Sequence, residues 1–119
     1  ALRKPFLFDV IKDRGALARV VGEGSVENVY RLQVMNRSER PHVFRVGVSG
    51  APGLEIDAPA LHVPAAGVAS LVVTVRLAAA EALAWQGRPL PVEFELEMQA
   101  EATQAAVSHR EKSTFLVPR

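Results

Sequence analysis

Three sets of residues in this sequence have the types that do chemistry. Glu93, Glu95 and Glu97 alternate with Val92, Phe94, Leu96 and Met98. As paired carboxylates the glutamates are candidates for cation binding. A strand turns successive side chains to opposite faces, so these three share one face. Neighbours there stand ~6–7 Å apart, too far for two of them to grip one ion at normal carboxylate distances. His42, His62 and His109 are the only imidazoles, and Met35 and Met98 the only thioethers. Together they are the ligands a copper site would draw on. They fall on separate predicted segments without ligand spacing, and Met98 shares the apolar face of its strand, where it reads as filler. Ser108-His109 is a nucleophile beside a base, but strand neighbours point to opposite faces. Ser49-Gly50 and Gly24-Ser25 read as turns, and Gly22-Glu23-Gly24 opens no convincing helix that would make it a phosphate loop. These residues give no catalytic, cofactor-binding or metal-ligating assignment, and the chain is not read as an enzyme.

The elements that position these residues are strands. Val92–Met98 alternates apolar and acidic residues, a pattern no helix can use because its apolar residues would spread around the cylinder. Phe6–Ile11 is a first strand, entered by Pro5. Asp13-Arg14-Gly15 reads as a turn or bulge, beyond which Ala16–Val21 continues the strand. Val26–Asn36 follows, with Tyr30, Leu32 and Val34 inward and Arg31, Gln33 and Met35 outward. His42–Ser49 sets Phe44, Val46 and Val48 inward, and its closeness to the preceding strand predicts a hairpin between the two. Leu54–Ile56 and Leu61–Val63 are short extended pieces. Ala69–Leu77 is a strand with Leu71, Val73, Val75 and Leu77 on one face. Ala78–Trp85 is helix-friendly but too short to be stable alone. It is expected to cap one end, with Leu83 or Trp85 as plug; Trp85 exposed on a loop would instead suit a partner or a membrane interface. Gln104–Leu116 is the last strand, and its mixed pattern suits an edge or a bulge.

A sheet with one oily face must be covered by another layer. The expected fold is therefore all-β, an immunoglobulin-like antiparallel two-sheet sandwich of about seven strands, forming a single domain over residues 1–119. In that arrangement the Val92–Met98 strand lies between the Phe44 strand and the last one. Arg45, and Arg110 or Lys112, then stand opposite the glutamates as cross-strand partners.

At 119 residues and 49% hydrophobic the chain can build a core without disulfides or metal. Aromatics are only 6%, so Val, Leu and Ala must do much of the filling. The net charge of +1 is far from the basic excess of a nucleic-acid binder. Residues 1–45 carry nine Lys/Arg and five Asp/Glu, and residues 46–119 five and eight. That mild asymmetry is what two complementary faces produce. The absence of cysteine removes thiol catalysis, disulfides and cluster ligation by this chain. No apolar run approaches the ~20 residues of a membrane span, and the start at Ala1-Leu2-Arg3-Lys4 reads as a cut from a longer protein.

Four blocks carry a family resemblance: Asp9–Leu17 (Asp-Val-Ile-Lys-Asp-Arg-Gly-Ala-Leu), Glu27–Asn36 (Glu-Asn-Val-Tyr-Arg-Leu-Gln-Val-Met-Asn), Val48-Ser-Gly50 with Pro52-Gly-Leu54, and Glu111–Phe115 (Glu-Lys-Ser-Thr-Phe). In this order they resemble the C-terminal domain of the FixG/CcoG family, the cytochrome c oxidase accessory proteins. The resemblance implies a parent embedded in the bacterial inner membrane that holds [4Fe-4S] clusters outside this chain. It implies a link to assembly of the cbb-type oxidase and to copper reduction, with this domain on the periplasmic side. It transfers no redox residue, and no cofactor is expected in this chain. Asp9 and Arg14 are expected to tie the first strand to its neighbours, and Asn28, Tyr30 and Asn36 to serve the turns and core. The leading expectation is a non-catalytic interaction domain whose partner is a protein, either an oxidase assembly component or a copper carrier. Nucleic acid and direct membrane insertion are not expected. The alternatives are a copper-handling domain using His and Met, or a purely structural spacer.

Overall fold

The computed structural model describes residues 5–12, 19–22, 24–100 and 105–118. The expected turn at Asp13-Arg14-Gly15 and the role of Arg14 fall outside these residues. Among them nine strands and one short helix follow in order: β1 Phe6–Lys12, β2 Arg19–Val21, β3 Ser25–Asn36, β4 His42–Ser49, β5 Leu54–Asp57, β6 Leu61–Val63, β7 Val68–Leu77, α1 Ala79–Ala84, β8 Pro89–Met98 and β9 Val107–Leu116. They form two antiparallel sheets. The first runs β1-β3-β7-β5 with β2 also on β3, and the second runs β6-β4-β8-β9. The expected two-sheet sandwich is present. Its strand number exceeds seven because β2 and β6, each of three residues, pair as strands in their own right.

The alternation read in the sequence decides what is buried. Tyr30, Leu32 and Val34 of β3, Val73, Val75 and Leu77 of β7, and Val92, Phe94, Leu96 and Met98 of β8 all lie in the core. Each contributes roughly 1.5–3 kcal/mol of burial before chain entropy is set against it. Two aromatic contacts bridge the sheets edge to face, Phe6–Phe44 at 5.0 Å and Tyr30–Phe94 at 4.9 Å. Both lie within the favourable range for offset rings. β1 and β2 occupy the same side of β3, because β7 covers the other side from Val26 to Met35. They act as two pieces of one interrupted strand.

The expected β3–β4 hairpin does not form. β3 is paired on both sides, so β4 has no free edge to join and enters the opposite sheet. Asn36 holds that crossing. Its Nδ2 donates to the carbonyls of Arg40 (2.9 Å), Val63 (3.2 Å) and Pro64 (3.2 Å), and its Oδ1 accepts from Ser38 N–H (2.9 Å). The Arg37 N–H donates to the Pro5 carbonyl. Wholly buried, Asn36 satisfies polar groups that a corner would otherwise leave orphaned.

α1 closes one end, and of the two expected plugs it is Trp85, not Leu83, that meets the core. Leu83 points to solvent, 72% exposed, and Ala82 is the buried residue of the helix. Trp85 packs partly against the core with the Arg88 guanidinium 4.6 Å from its ring. The small Ala82 fits because α1 lies close over β3. β9 is an edge strand, which accounts for its mixed pattern.

Candidate functional site

The three glutamates stand on the outer face of the β6-β4-β8-β9 sheet. Ser49, Glu93 and Lys112 form one cross-strand row; Gly47, Glu95 and Arg110 the next; Arg45, Glu97 and Ser108 the third. The sequence placed arginines and a lysine opposite this ladder, and the register does so. Arg110 takes the central role, with Nε 3.1 Å from Glu95 and Nη1 3.7 Å from Glu93. Gln99 donates to Glu97 at 3.0 Å. The guanidinium is 66% exposed, so these pairs are solvated and worth at most about 1 kcal/mol each. The arrangement is a neutralised sheet face.

The imidazoles do not converge. His42 is buried at the start of β4, with Nε2 3.1 Å from Ser38 Oγ. His62 lies on the neighbouring β6 opposite Val43, whereas His42 is opposite Val63, so the two rings leave opposite faces of the sheet. His109 is two strands away on β9. It packs against Phe6 (6.1 Å) and Phe8 (6.0 Å) and places Nε2 2.7 Å from Glu111 Oε1. Met98 is in the core, and Met35 is on the outside of the other sheet. Among the described residues no group of three His, Cys, Asp or Glu side chains gathers within reach of one metal ion. Ser108 is exposed while His109 turns inward, so that pair does not meet. Gly22 and Gly24 adopt positive φ, and the Gly24 N–H donates to Val21 at 3.0 Å, closing the β2–β3 hairpin rather than cradling an anion.

The Glu27–Asn36 block does its work inside the fold. Asn28 Nδ2 donates to the Leu116 carbonyl at 2.9 Å, and its Oδ1 accepts from the Leu116 N–H at 2.8 Å. Tyr30 donates its hydroxyl proton to the Thr114 carbonyl at 2.8 Å. Burial pushes the Tyr30 phenol pKa well up. Both side chains reach from β3 in one sheet to the outer edge of β9 in the other. They occupy backbone groups that an edge strand would otherwise offer to another chain.

The surface that sequence reasoning missed is the outside of the β1-β3-β7-β5 sheet. Leu7, Met35 and Val68 form one row across it, and Ile11, Arg31 and Val72 another. Of the eight exposed large hydrophobic residues among those described, five stand there, with Val68 60% and Val72 55% exposed. The other sheet's outer face carries Leu116 at its end. The signal was available, since β7 has valines on both of its faces.

The comparisons with known proteins accord with this geometry. A family model described as "IG-like fold at C-terminal of FixG, putative oxidoreductase" matches residues 1–118. The chain belongs to this FixG C-terminal family. A solved FixG-related protein from Vibrio parahaemolyticus superposes with a TM-score of 0.68 at 18% identity, covering 94% of this chain and 97% of that one. The yeast GGA1 GAE domain gives a TM-score of 0.53 at 10% identity, covering 98% of this chain and 95% of that one. A protein from Archaeoglobus fulgidus gives 0.50 at 14%, covering 92% and 94%. At such identities the solved structures show the sandwich fold alone. No curated protein matches the chain.

Proposed function

We propose that this FixG-family domain is a non-catalytic docking domain. Its parent would be a membrane-bound iron–sulfur protein concerned with cbb-type oxidase assembly and copper reduction, with the domain on the periplasmic side. Its partner would be a protein, an oxidase assembly component or a copper carrier. One observation carries this reading: the inward-facing polar side chains of the Glu27–Asn36 block, Asn28, Tyr30 and Asn36, are spent on the sandwich itself. Asn28 and Tyr30 bond β9, and Asn36 holds the crossing between the sheets. What the family block builds is thus a rigid platform, and the platform turns exposed apolar side chains outward among polar ones.

The test is a parent protein lacking this domain. The reading expects it to reach the membrane with its clusters but to fail in oxidase assembly. Normal assembly would overturn the reading. The copper-handling alternative needs imidazoles or thioethers to converge, and the separation of His42, His62, His109 and Met98 gives it no support. Titration of the chain with Cu(I) and Cu(II) tests it directly, and stoichiometric binding tighter than micromolar would restore it. The spacer alternative expects surface charge reversals, at Arg31 or Glu95 for example, to leave assembly unchanged.

A further inference from the structure

The two outer faces of the sandwich differ in kind, and the difference points to a docking surface. On the β4-β8-β9 face Arg110 bridges Glu93 and Glu95. The β1-β3-β7-β5 face is divided. Toward one end Leu7, Met35, Val68, Ile11 and Val72 are exposed, in two rows that also hold Arg31 and are separated by the polar row Asp9–Gln33–Ser70. Toward the other lies a row in which Glu27, Arg76 and Glu55 follow across β3, β7 and β5, with Asp57 beside them. Arg76 commits both Nε (3.2 Å) and Nη2 (2.6 Å) to one oxygen of Glu27. The Glu55 and Asp57 carboxylates border a hollow of about 350 Å³, lined also by Ile56 and Thr74. Among the described residues neither carboxylate makes an ion pair or side-chain hydrogen bond.

We infer that this face receives a protein segment that carries branched aliphatic side chains and, further along, lysine or arginine. The inference rests on the reading of the chain as an interaction domain, and it names the surface and the chemistry of the partner. Charge selects the occupant. An anionic lipid surface would be repelled by Glu55 and Asp57. A basic partner instead meets the open carboxylates while its apolar side chains cover Val68 and Val72, in a contact of the transient class. The Val72 and Arg76 rows are four residues apart, or ~13 Å. An extended partner would therefore place its basic residue about four positions beyond its apolar ones.

The probe is a pair of synthetic extended peptides, identical in their alternating leucines and valines and ending in lysines or in glutamates. Each is titrated into the isotope-labelled chain and followed by backbone amide resonances. The lysine peptide is expected to shift β7 and β5 and to bind about tenfold more tightly than the glutamate peptide. The double variant E55K/D57K should reverse that preference, and V68K/V72K should abolish both interactions. All four positions are exposed, so the variants keep the core. The proposal is overturned by shifts confined to the β4-β8-β9 face, by equal affinity for the two peptides or by no shifts at all. Recruitment to anionic vesicles, or concentration-dependent dimerisation lost in V68K/V72K, would equally overturn it. In the parent, E55K/D57K and V68K/V72K should impair oxidase assembly. Should deletion of the domain impair assembly while these variants do not, the surface is refuted and the interaction reading stands. Should deletion have no effect, the reading itself fails.

Discussion

Asn28 and Leu116 exchange two hydrogen bonds across the sandwich, the side-chain amide of one closing on both backbone groups of the other at 2.9 and 2.8 Å. The amide thereby imitates a paired strand residue. Replacing Asn28 with Leu removes both bonds and leaves the Leu116 N–H and C=O facing a buried apolar side chain. The expected loss is about 2–4 kcal/mol. Asn28→Asp keeps an acceptor for the N–H but sets a carboxylate oxygen against the Leu116 carbonyl, and it too destabilises. Denaturant midpoints with unchanged slope would verify both. Wild-type midpoints in both variants would show that this link carries no stability.

Tyr30 supplies a second link, to Thr114, and a pH signature. Its folded pKa is raised by burial above the ordinary 10.0. Above pH 10 the unfolded chain therefore releases this proton while the folded chain retains it. The folded state then binds more protons, so stability falls as pH rises from about 10. Tyr30→Phe should cost about 0.5–1.5 kcal/mol at neutral pH through the lost bond and should flatten the alkaline decline. Tyr30 is the only tyrosine, so the ultraviolet tyrosinate band reads its ionisation without ambiguity. Ionisation of the folded chain at the ordinary value would refute the argument.

The sequence made some of these relationships legible and hid others. The alternation in β3, β7 and β8 is local, so the core faces followed from it. The order β4-β8-β9 came from the expected immunoglobulin-like arrangement, which set Arg45, and Arg110 or Lys112, opposite the glutamates, as the register does. The β3–β4 hairpin was misread because closeness along the chain does not reveal that both edges of β3 are already taken. The choice between Leu83 and Trp85 as the plug stayed open because a six-residue helix has too little periodicity to show its buried face. Asn28 and Leu116 are 88 residues apart, so no local pattern pairs them. A hint existed, since Asn28 shares the parity of Tyr30 and Leu32, and a buried amide demands a partner. The outer apolar rows exist only once β1, β3 and β7 are in register.

Neighbouring residues on β8 should separate packing from surface charge. Phe94 is wholly buried, with its ring 4.9 Å from Tyr30. Phe94→Ala should cost about 3–5 kcal/mol, and Phe94→Asp or Leu96→Lys should prevent folding. Glu95→Ala removes only a solvated pair with Arg110 and should stay within about 1 kcal/mol of wild type. Thermal and urea denaturation of the four variants measure this directly. A loss at Glu95 equal to that at Phe94 would mean that the exposed ladder holds the sheet.

Gly50 tests the turn that follows β4. Its φ is +153°, and a Cβ built there would lie 2.6 Å from the Pro91 carbonyl oxygen and 3.2 Å from Val92 Cα. Both obstacles are backbone atoms of β8, which is held on one side by β4 and on the other by β9. The strand cannot retreat without breaking a ladder. Gly50→Ala should therefore destabilise by more than the ~1 kcal/mol typical of point substitutions. Gly47→Ala is the control, since a Cβ there meets nothing within 4 Å. It should be tolerated, as it lies mid-strand where alanine loses less backbone entropy than glycine. Equal stability of the two variants would show that the β4–β8 approach at Gly50 is looser than its geometry demands.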